Sequence, residues 1–253
     1  MINLFSELLF KLKKRSCVLC FHSIGDKGFD AERFKTLILK LKALGYSFPD
    51  PALIATDQAG LNDGEIYITF DDGYADNLDI VENFLKPQGI KPIVFVVTGL
   101  LDGEIENRTL AGLKKIPCFS FEDCKAFKDD VIFSYHTHGH DDLYKIAVSD
   151  IEPSLIYGLK RFREELDFGQ PLYFAYPFGY LPTEQAVFTG LMASLGVTHA
   201  FTTRWGKFNP GMSYFINRVV IGDNDSIARS LLKISGILDG YAKYKWSGEK
   251  YGD

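Results

Sequence analysis

Residues 66–73 read Ile-Tyr-Ile-Thr-Phe-Asp-Asp-Gly and combine a short apolar run with two adjacent carboxylates. The first five residues are β-branched or aromatic, which is typical of a buried strand. Gly73 permits a sharp turn, so Asp71 and Asp72 are predicted at the carboxyl end of that strand. In α/β folds this edge is where loops converge on a crevice and chemistry takes place. An Asp-Asp-Gly sequence is also an ordinary turn, so this stretch alone leaves both interpretations open.

Strand-like and helix-like segments alternate along the rest of the chain. The predicted strands are 17–21, 66–70, 93–97, 131–134, 173–175, 200–202 and 215–220. One predicted helix begins after Asp30 and ends before Gly45. The other predicted helices cover about 75–88, 150–166, 183–195 and 226–238. This alternation predicts an α/β fold with a parallel sheet and right-handed crossovers.

The 253 residues are expected to form one folded domain, because α/β barrels of this length commonly do. We assign residues 16–240 to that domain, residues 1–15 to an N-terminal helix and residues 241–253 to a C-terminal tail. Between about 100 and 128 the pattern becomes irregular, with Gly103, Gly112 and Pro117 among short mixed segments. We interpret that part as an insertion over one rim of the domain.

The composition is that of an ordinary globular protein, with 46% hydrophobic and 24% charged residues. The net charge is -5, and no long basic run is present to neutralise phosphates, so nucleic acid is not an expected partner. No stretch reaches the roughly 20 apolar residues of a membrane span.

Residues 1–15 carry Leu4, Leu8 and Leu12 at helical spacing, followed by a cluster of basic residues. The segment lacks the long apolar core and the cleavage site of a signal peptide, so we expect a cytoplasmic protein. An alternative is that this helix lies on the inner face of the membrane and gives the protein a peripheral contact there.

The four cysteines include a Cys-x-x-Cys pair, Cys17 and Cys20, which could indicate a zinc or redox site. The pair lies inside an apolar predicted strand, where alternation directs the two side chains to opposite faces. A metal site built on this pair is therefore not expected.

Three histidines, His136, His138 and His140, follow the predicted strand 131–134. Histidines at i and i+4 can face one ion from one side of a helical turn, and one added carboxylate completes the ligand set of an open zinc site. Loop histidines without a metal are the alternative, and a nearby strand-end carboxylate decides between the two.

Taken together, these segments resemble the polysaccharide deacetylase family, the carbohydrate esterases of family 4 that share a homology domain with the rhizobial nodulation deacetylases. The motifs, in the family's order, are Phe-His-Ser-Ile-Gly at 21–25, Thr-Phe-Asp-Asp-Gly at 69–73, Phe-Val-Val-Thr-Gly at 95–99, His-Thr-His-Gly-His at 136–140, Phe-Ala-Tyr-Pro-Phe-Gly at 174–179 and Ala-Phe-Thr-Thr at 200–203. The resemblance covers about residues 17–220. It implies a distorted (β/α)7 TIM-like barrel in a single domain.

The resemblance also implies how the work is divided among the site residues. Asp72, His136 and His140 would bind a divalent metal ion, usually zinc, and Asp71 would act as the general base. Adjacent aspartates suit these roles, because one can ligate the cation while the other activates water.

The turn Tyr-Pro-Phe-Gly corresponds to the family's oxyanion and substrate-binding segment. The backbone N–H of Phe178 would stabilise the oxyanion, with Tyr176 beside it in the same segment. Many members carry an Arg two residues before the motif proline, where it orients the base, but this chain has Ala175 there. We expect Arg218, in the predicted strand 215–220, to replace it, because its fork matches a carboxylate.

The late Leu-x-His motif that supplies a general acid in the family is also missing, since no histidine follows His199. His22 closes the first predicted strand at the same edge and is the best-placed acid. A structural role for His22 is an alternative, and so is a sugar-binding role while Asp71 returns its own proton to the leaving amine. His138 and His199 are expected to be structural.

The leading hypothesis is a metal-dependent hydrolase that removes an N-acyl group, most simply acetyl, from an amino sugar of a glycan or of a lipid- or nucleotide-linked precursor. Two alternatives remain open. One is a deacylase of a non-carbohydrate amide, and the other is a catalytically silent glycan-binding barrel.

Overall fold

The computed structural model describes residues 14–25, 27–56, 59–60, 62–106, 115–209 and 211–245. Within them, seven parallel strands form one sheet in the order β6-β5-β4-β3-β2-β1-β7. The strands are β1 Cys17–Phe21, β2 Ile66–Phe70, β3 Ile93–Val96, β4 Ile132–Tyr135, β5 Tyr173–Ala175, β6 His199–Phe201 and β7 Arg218–Val220. β1 and β2 pair along their whole length, from Cys17 opposite Ile66 to Phe21 opposite Phe70.

The sheet curves until its two edge strands nearly meet. The segment before β7 runs beside β6, where Phe201 and Ile216 form a parallel bridge and the backbone N–H of Thr202 donates to the carbonyl oxygen of Ile216 at 2.8 Å. The result is a nearly closed (β/α)7 barrel, which confirms the predicted fold class.

Helices cover the outside of the barrel. They are α1 Ala31–Ala43, α2 Ala75–Ile80, α3 Thr98–Leu101, α4 Phe121–Ala126, α5 Val148–Leu166, α6 Gln185–Ser194, α7 Ile227–Ile234 and α8 Asp239–Lys245. α1 begins where the sequence predicts, because the Asp30 carboxylate accepts a hydrogen bond from the backbone N–H of Arg33 at 2.8 Å. It is followed by Gly45, whose φ of 80° suits a glycine after a helix end. Among the residues described, none of the helices combines the length and the apolar composition of a membrane span.

The strands separate two layers of apolar side chains. Alternate residues of β1, namely Cys17, Leu19 and Phe21, pack outward against the helices, whereas Val18 packs inward with residues such as Tyr67 and Phe95. The inner cluster fills the barrel, so its interior is a packed core.

Three predicted elements differ from the structure by more than two residues at an end. The predicted helix 75–88 is α-helical only to Ile80 and continues as a π turn, Val81–Leu85, and a 3-10 turn, Lys86–Gln88. Pro87 explains the change at the end of this segment, because its ring nitrogen cannot donate an α-helical hydrogen bond. Of the predicted strand 215–220, Arg218–Val220 forms a strand in the structure.

The third difference lies at the C-terminus. The predicted helix 226–238 ends at Ile234, and Gly236, with a φ of 84°, separates it from α8. Residues 241–245 belong to α8, so the first part of the predicted tail is helical. The remaining tail, 246–253, and residues 1–13 of the predicted N-terminal helix lie outside the described residues. The predicted insertion, 100–128, includes α4, which begins with a capping box between Ser120 and Asp123.

Candidate active site and metal centre

Strand alternation brings three of the predicted site residues to one edge of the barrel. Val18 of β1, Tyr67 of β2 and Ile132 of β4 all belong to the interior cluster. A period of two residues therefore points His22, Asp71 and His136 toward the barrel axis as each strand ends. The backbone N–H of Asp71 donates to the carbonyl oxygen of Phe21 at 3.0 Å, and the backbone N–H of His136 donates to the carbonyl oxygen of Val96 at 2.9 Å. Asp71 and His136 thus still continue the hydrogen-bonding pattern of the sheet.

The chain turns sharply just after these strands. Within the described residues, four non-glycine residues have positive φ: Asp72 at 75°, Thr137 at 63°, His140 at 51° and Phe178 at 60°. Three of them are predicted site residues, and such left-handed backbone is costly for residues with a Cβ atom. The segment 136–140 is accordingly an irregular loop instead of the helical turn that the i, i+4 spacing suggested. The left-handed residues, and not helical periodicity, bring the two imidazoles together.

Asp72, His136 and His140 meet around one point. The Asp72 Oδ1 atom lies 3.4 Å from His136 Nε2 and 3.3 Å from His140 Nε2. A tetrahedral ion with ligand bonds of ~2.0–2.1 Å needs ligand atoms about 3.3 Å apart. Asp72 Oδ1 is also buried without a hydrogen-bond partner among the described residues. The donor set and its spacing therefore fit a tetrahedral divalent cation.

The surroundings of the two imidazoles orient them for this role. His136 Nδ1 lies 2.8 Å from the carbonyl oxygen of Ala175, which accepts a hydrogen bond only if Nδ1 carries the hydrogen. The lone pair of His136 is then on Nε2, the atom that faces Asp72. The His140 ring packs edge-on against the Phe178 ring, with centroids 4.6 Å apart.

A second group of metal-ligand types, Cys20, His22 and Asp71, lies on the neighbouring strands. Both carboxylate oxygens of Asp71 are already paired with Arg218, whose permanent positive charge opposes a cation at the same place. Cys17 packs in the outer layer, whereas the Cys20 Sγ atom lies 3.5 Å from Asp71 Oδ2 on the inner side. The two cysteines thus face opposite sides of β1, as the sequence predicts.

Arg218 holds Asp71 from beneath the site. Its Nη1 and Nη2 atoms donate to Asp71 Oδ1 at 2.5 Å and Oδ2 at 2.7 Å. The same guanidinium donates to the carbonyl oxygen of Thr202 at 2.9 Å and to Thr69 Oγ1 at 3.1 Å, and the side chain is fully buried. Arg218 therefore fixes both the position and the orientation of the Asp71 carboxylate.

The charges around the two aspartates keep them ionised. Burial raises the pKa of Asp71, but the Arg218 guanidinium and His136 outweigh it, and the net pKa lies below the ordinary value. Burial also raises the pKa of Asp72, yet its contacts with His136 and His140, together with the nearby His22, hold that pKa well below the usual range. Both carboxylates are anionic at neutral pH, as a base and a metal ligand require.

A cavity of about 380 Å³ opens above these groups. Its lining comes from the carboxyl ends of the strands, the loops that follow them and α7: His22, Asp71, Asp72, His136, His140, Phe178, Thr203, Trp205, Val220, Gly222 and Lys233. The sequence-based site residues His22 and Phe178 thus share one cavity with the predicted base and metal ligands.

Two of the predicted oxyanion or substrate-binding residues do not line this cavity. Tyr176 is buried in the outer layer, and its hydroxyl donates to the carbonyl oxygen of Tyr214 at 3.0 Å. Its side chain therefore lies away from the cavity, and alternation explains why: Tyr173 and Ala175 point inward, so Tyr176 points outward. Arg218 lies below the cavity and contacts Asp71 instead of the cavity space.

His138 and His199 occupy structural positions. The Nδ1 atom of His138 lies 3.0 Å from Thr98 Oγ1, and its Nε2 atom lies 3.4 Å from Glu104. His199 lies in β6 with its ring against Tyr173. Neither residue lines the cavity.

The sequence interpretation missed Trp205 and Lys233 as cavity residues. Trp205 follows β6 in a loop with no periodicity to place it. Lys233 lies to one side of the apolar stripe that Ile227, Leu231 and Ile234 form on α7, so its helical position alone did not mark it, although the structure buries it. A buried lysine indicates a paired or functional side chain.

Comparison with known proteins is consistent with this geometry. Residues 58–199 match the family described as "Polysaccharide deacetylase". No curated protein sequence matches the chain.

Solved structures of several deacetylases are similar in fold. The deacetylase PplD of Streptococcus pyogenes, solved with acetate, has a TM-score of 0.69 at 19% identity, covering 88% of this chain and 99% of its own. IcaB from Ammonifex degensii has a TM-score of 0.69 at 20% identity, covering 88% and 97% of the two chains. A polysaccharide deacetylase from Bacillus cereus has a TM-score of 0.68 at 21% identity, covering 88% and 69%. At these identities the similarity establishes the barrel fold.

Proposed function

The chain belongs to the polysaccharide deacetylase family, and from that membership we propose that it is a divalent-metal-dependent hydrolase that removes an N-acyl group, most simply acetyl, from an amino sugar. The observation that carries the proposal is the convergence of Asp72, His136 and His140 beside the ionised Asp71 in one cavity. Two imidazoles and one carboxylate form a ligand set of the catalytic zinc type, so we propose zinc as the ion.

The metal and the base have separate residues in this proposal. Asp72, His136 and His140 hold the ion, which would lower the pKa of water and polarise the carbonyl oxygen of the substrate. Asp71 takes the proton of the attacking water, and Arg218 keeps the accepting carboxylate in one orientation. Since both Asp71 oxygens bond to Arg218, the base cannot rotate away from the cavity.

The oxyanion and the leaving amine need two further groups. We assign stabilisation of the oxyanion to the backbone N–H of Phe178, whose left-handed turn follows β5 beside His140. We assign proton donation to His22, which lines the cavity at the end of β1. The Asn77 side chain donates to the carbonyl oxygen of His22 at 2.8 Å and so holds the backbone at this position.

Acetate release and metal content test the proposal together. The purified protein should contain about one zinc ion per chain and release acetate from N-acetylglucosamine oligomers or from an N-acetylated sugar nucleotide. Asp71→Asn should keep the metal and lose roughly 10²- to 10⁴-fold in kcat, because the substitution removes the base but no ligand. Turnover of hydroxyl-free acetamides alone would favour a non-carbohydrate amide, and glycan binding without turnover would favour a silent barrel.

His22 has a test of its own. As the proton donor, His22→Ala should lower kcat at unchanged metal content and remove the high-pH limb of the rate profile. An increase in KM alone would assign His22 to sugar binding, with Asp71 returning the proton. Unchanged kinetics would leave His22 a structural residue.

The location of the substrate remains a prediction from the sequence. A lipid-linked or nucleotide-linked sugar is the proposed alternative to a glycan polymer. The proposed membrane contact falls on the predicted helix 1–15, of which residues 1–13 lie outside the described part of the chain.

A further inference from the structure

Lys233 brings a positive charge to the cavity that neither the metal ligands nor the proposed base requires. It lies on α7, is almost completely buried and lines the cavity together with Asp71 and His22. A buried ammonium must be paired, because its desolvation costs several kcal/mol. Its position therefore reflects a set of fixed contacts.

Those contacts come from three directions. The Lys233 ammonium donates to the carbonyl oxygen of Val220 at 2.9 Å and to the carboxylate of Asp225. It also lies 4.5 Å from the ring centroid of Trp205, within the range of a cation–π contact. Trp205 and Val220 line the cavity as well, so the ammonium is fixed to the wall of the site.

Asp225 is itself held in place from both ends of its carboxylate. It accepts a hydrogen bond from the backbone N–H of Gly222 at 2.8 Å and pairs with Arg229 at 2.9 Å. Arg15 donates to the carbonyl oxygens of Lys233 at 2.8 Å and Ile234 at 2.7 Å, which anchors the end of α7. Lys233 is thus a preorganised donor that needs little ordering when a ligand binds.

The partners of Lys233 favour binding over proton transfer. The ammonium donates to a carboxylate and to a carbonyl oxygen, and these contacts hold it in place as a hydrogen-bond donor. The charge of Asp225 also balances that of Lys233, and an anionic substrate group would approach a carboxylate as well as an ammonium. A neutral oxygen of the substrate fits this environment better than a phosphate or carboxylate.

We propose that Lys233 binds a sugar hydroxyl near the N-acyl group and thereby selects amino sugars over amides that lack hydroxyls. This inference rests on the proposed deacylase function and names the feature of the substrate that the site recognises. A hydroxyl accepts a hydrogen bond from an ammonium, and a charged donor makes the stronger kind of bond. A simple acetamide has no hydroxyl and cannot form this additional hydrogen bond, so it should bind less tightly than an amino sugar.

Binding without turnover provides the first test. In an Asp71→Asn background loaded with zinc, calorimetry should give a dissociation constant for an N-acetylglucosamine oligomer that Lys233→Met raises about 10- to 100-fold. Lys243→Met is the matched control, because Lys243 is exposed on α8, and it should leave the constant unchanged. Because Lys233→Met leaves Asp225 short of a partner, the double variant Asp225→Asn/Lys233→Met is measured too, and it should show the same loss.

Selectivity provides the second test. The ratio of kcat/KM for the oligomer to kcat/KM for N-cyclohexylacetamide, which has no hydroxyl, should fall at least about tenfold in Lys233→Met. An unchanged dissociation constant and ratio in folded variants would overturn the proposal. So would loss of the high-pH limb of kcat at unchanged binding, since Lys233 would then be a proton donor.

The outcomes also separate this inference from the proposed function. If the wild type releases no acetate but the oligomer binds in a Lys233-dependent way, the deacylase proposal fails and the binding role stands. If the wild type releases acetate and Lys233→Met binds the oligomer normally, only the role of Lys233 fails. Absence of oligomer binding in the Asp71→Asn background would overturn the role of Lys233 directly.

Discussion

At the scale of single residues, the site depends on backbone that most side chains avoid. Asp72 and His140 both adopt left-handed conformations, and their ligand atoms lie 3.3 Å apart. Each such residue costs about 1–3 kcal/mol, which persists only where the surroundings hold it. Their coincidence with the proposed metal-ligand set supports the interpretation that this strain is kept for binding an ion.

We therefore predict that His140→Ala will abolish stoichiometric zinc binding, because it removes one of three protein ligands. His138→Ala is the matched control, since His138 lies two residues away and contacts Thr98 instead of Asp72. It should keep about one zinc ion per chain in elemental analysis. Full occupancy in His140→Ala, or loss of zinc in both variants, would contradict the ligand assignment.

Arg218 gives a prediction about pH. Its guanidinium stabilises the ionised form of Asp71, so removing it should raise the pKa of Asp71. The proposed base works only when deprotonated, and the acid limb of kcat/KM in Arg218→Met should therefore move to higher pH. Arg218→Lys retains the charge but not the fork, so its shift should be smaller. If the acid limb of kcat/KM stays at the same pH in folded Arg218→Met protein, Asp71 is not the base.

At the scale of elements, strand alternation accounts for what the sequence could predict. Apolar runs located β1, β2 and β5 to the residue, and a period of two directs His22, Asp71 and His136 inward. The same rule applied to β5 places the Tyr176 side chain away from the cavity, because Ala175 is the inward residue. The positions of loop residues could not be predicted in this way, because no periodicity places Trp205. The i, i+4 spacing of His136 and His140 suggested a helical turn where the chain forms a loop.

The start of β2 offers a test at this scale. The buried Glu65 carboxylate accepts hydrogen bonds from the backbone N–H of Gly60 at 2.6 Å, the Asn62 side chain at 2.9 Å and the Tyr67 hydroxyl at 2.9 Å. Burial raises the pKa of Glu65, but these bonds outweigh it and lower the net pKa below the ordinary 4.5. Such a group contributes stability above its unfolded pKa and loses that contribution as pH falls through the folded pKa.

Glu65→Gln should therefore cost about 1–3 kcal/mol in the free energy of unfolding near neutral pH. The gap between wild type and variant should narrow as pH falls below 4.5, as measured by urea unfolding across that range. Glu32→Gln on the surface of α1 is the control and should change stability by less than about 0.5 kcal/mol. A gap that stays constant with pH would show that the ionised carboxylate contributes no pH-dependent stability.

At the scale of the whole molecule, Arg15 joins the beginning of the barrel to its last two helices. Its guanidinium pairs with the Asp239 carboxylate of α8 and donates to the carbonyl oxygens of Lys233 and Ile234 at the end of α7. These contacts bridge more than two hundred residues of sequence, with a separation of 219 between Arg15 and Ile234. Arg15, which holds the backbone of the cavity residue Lys233, thus lies just before the first residue of β1.

Arg15→Met should consequently release α7 and α8 before it unfolds the barrel. The loss of charge-assisted hydrogen bonds predicts a cost of about 1.5–3 kcal/mol, and a double-mutant cycle with Asp239→Asn should assign part of it to this pair. Hydrogen exchange should accelerate at the amides of α7 and α8 while those of β2 to β4 stay protected, because the contacts of Arg15 are with the end of α7 and with α8. Arg15→Lys should recover part of the protection. Uniform acceleration across the barrel would instead mean that Arg15 stabilises the global fold, and unchanged exchange would mean that α7 is held by its apolar face alone.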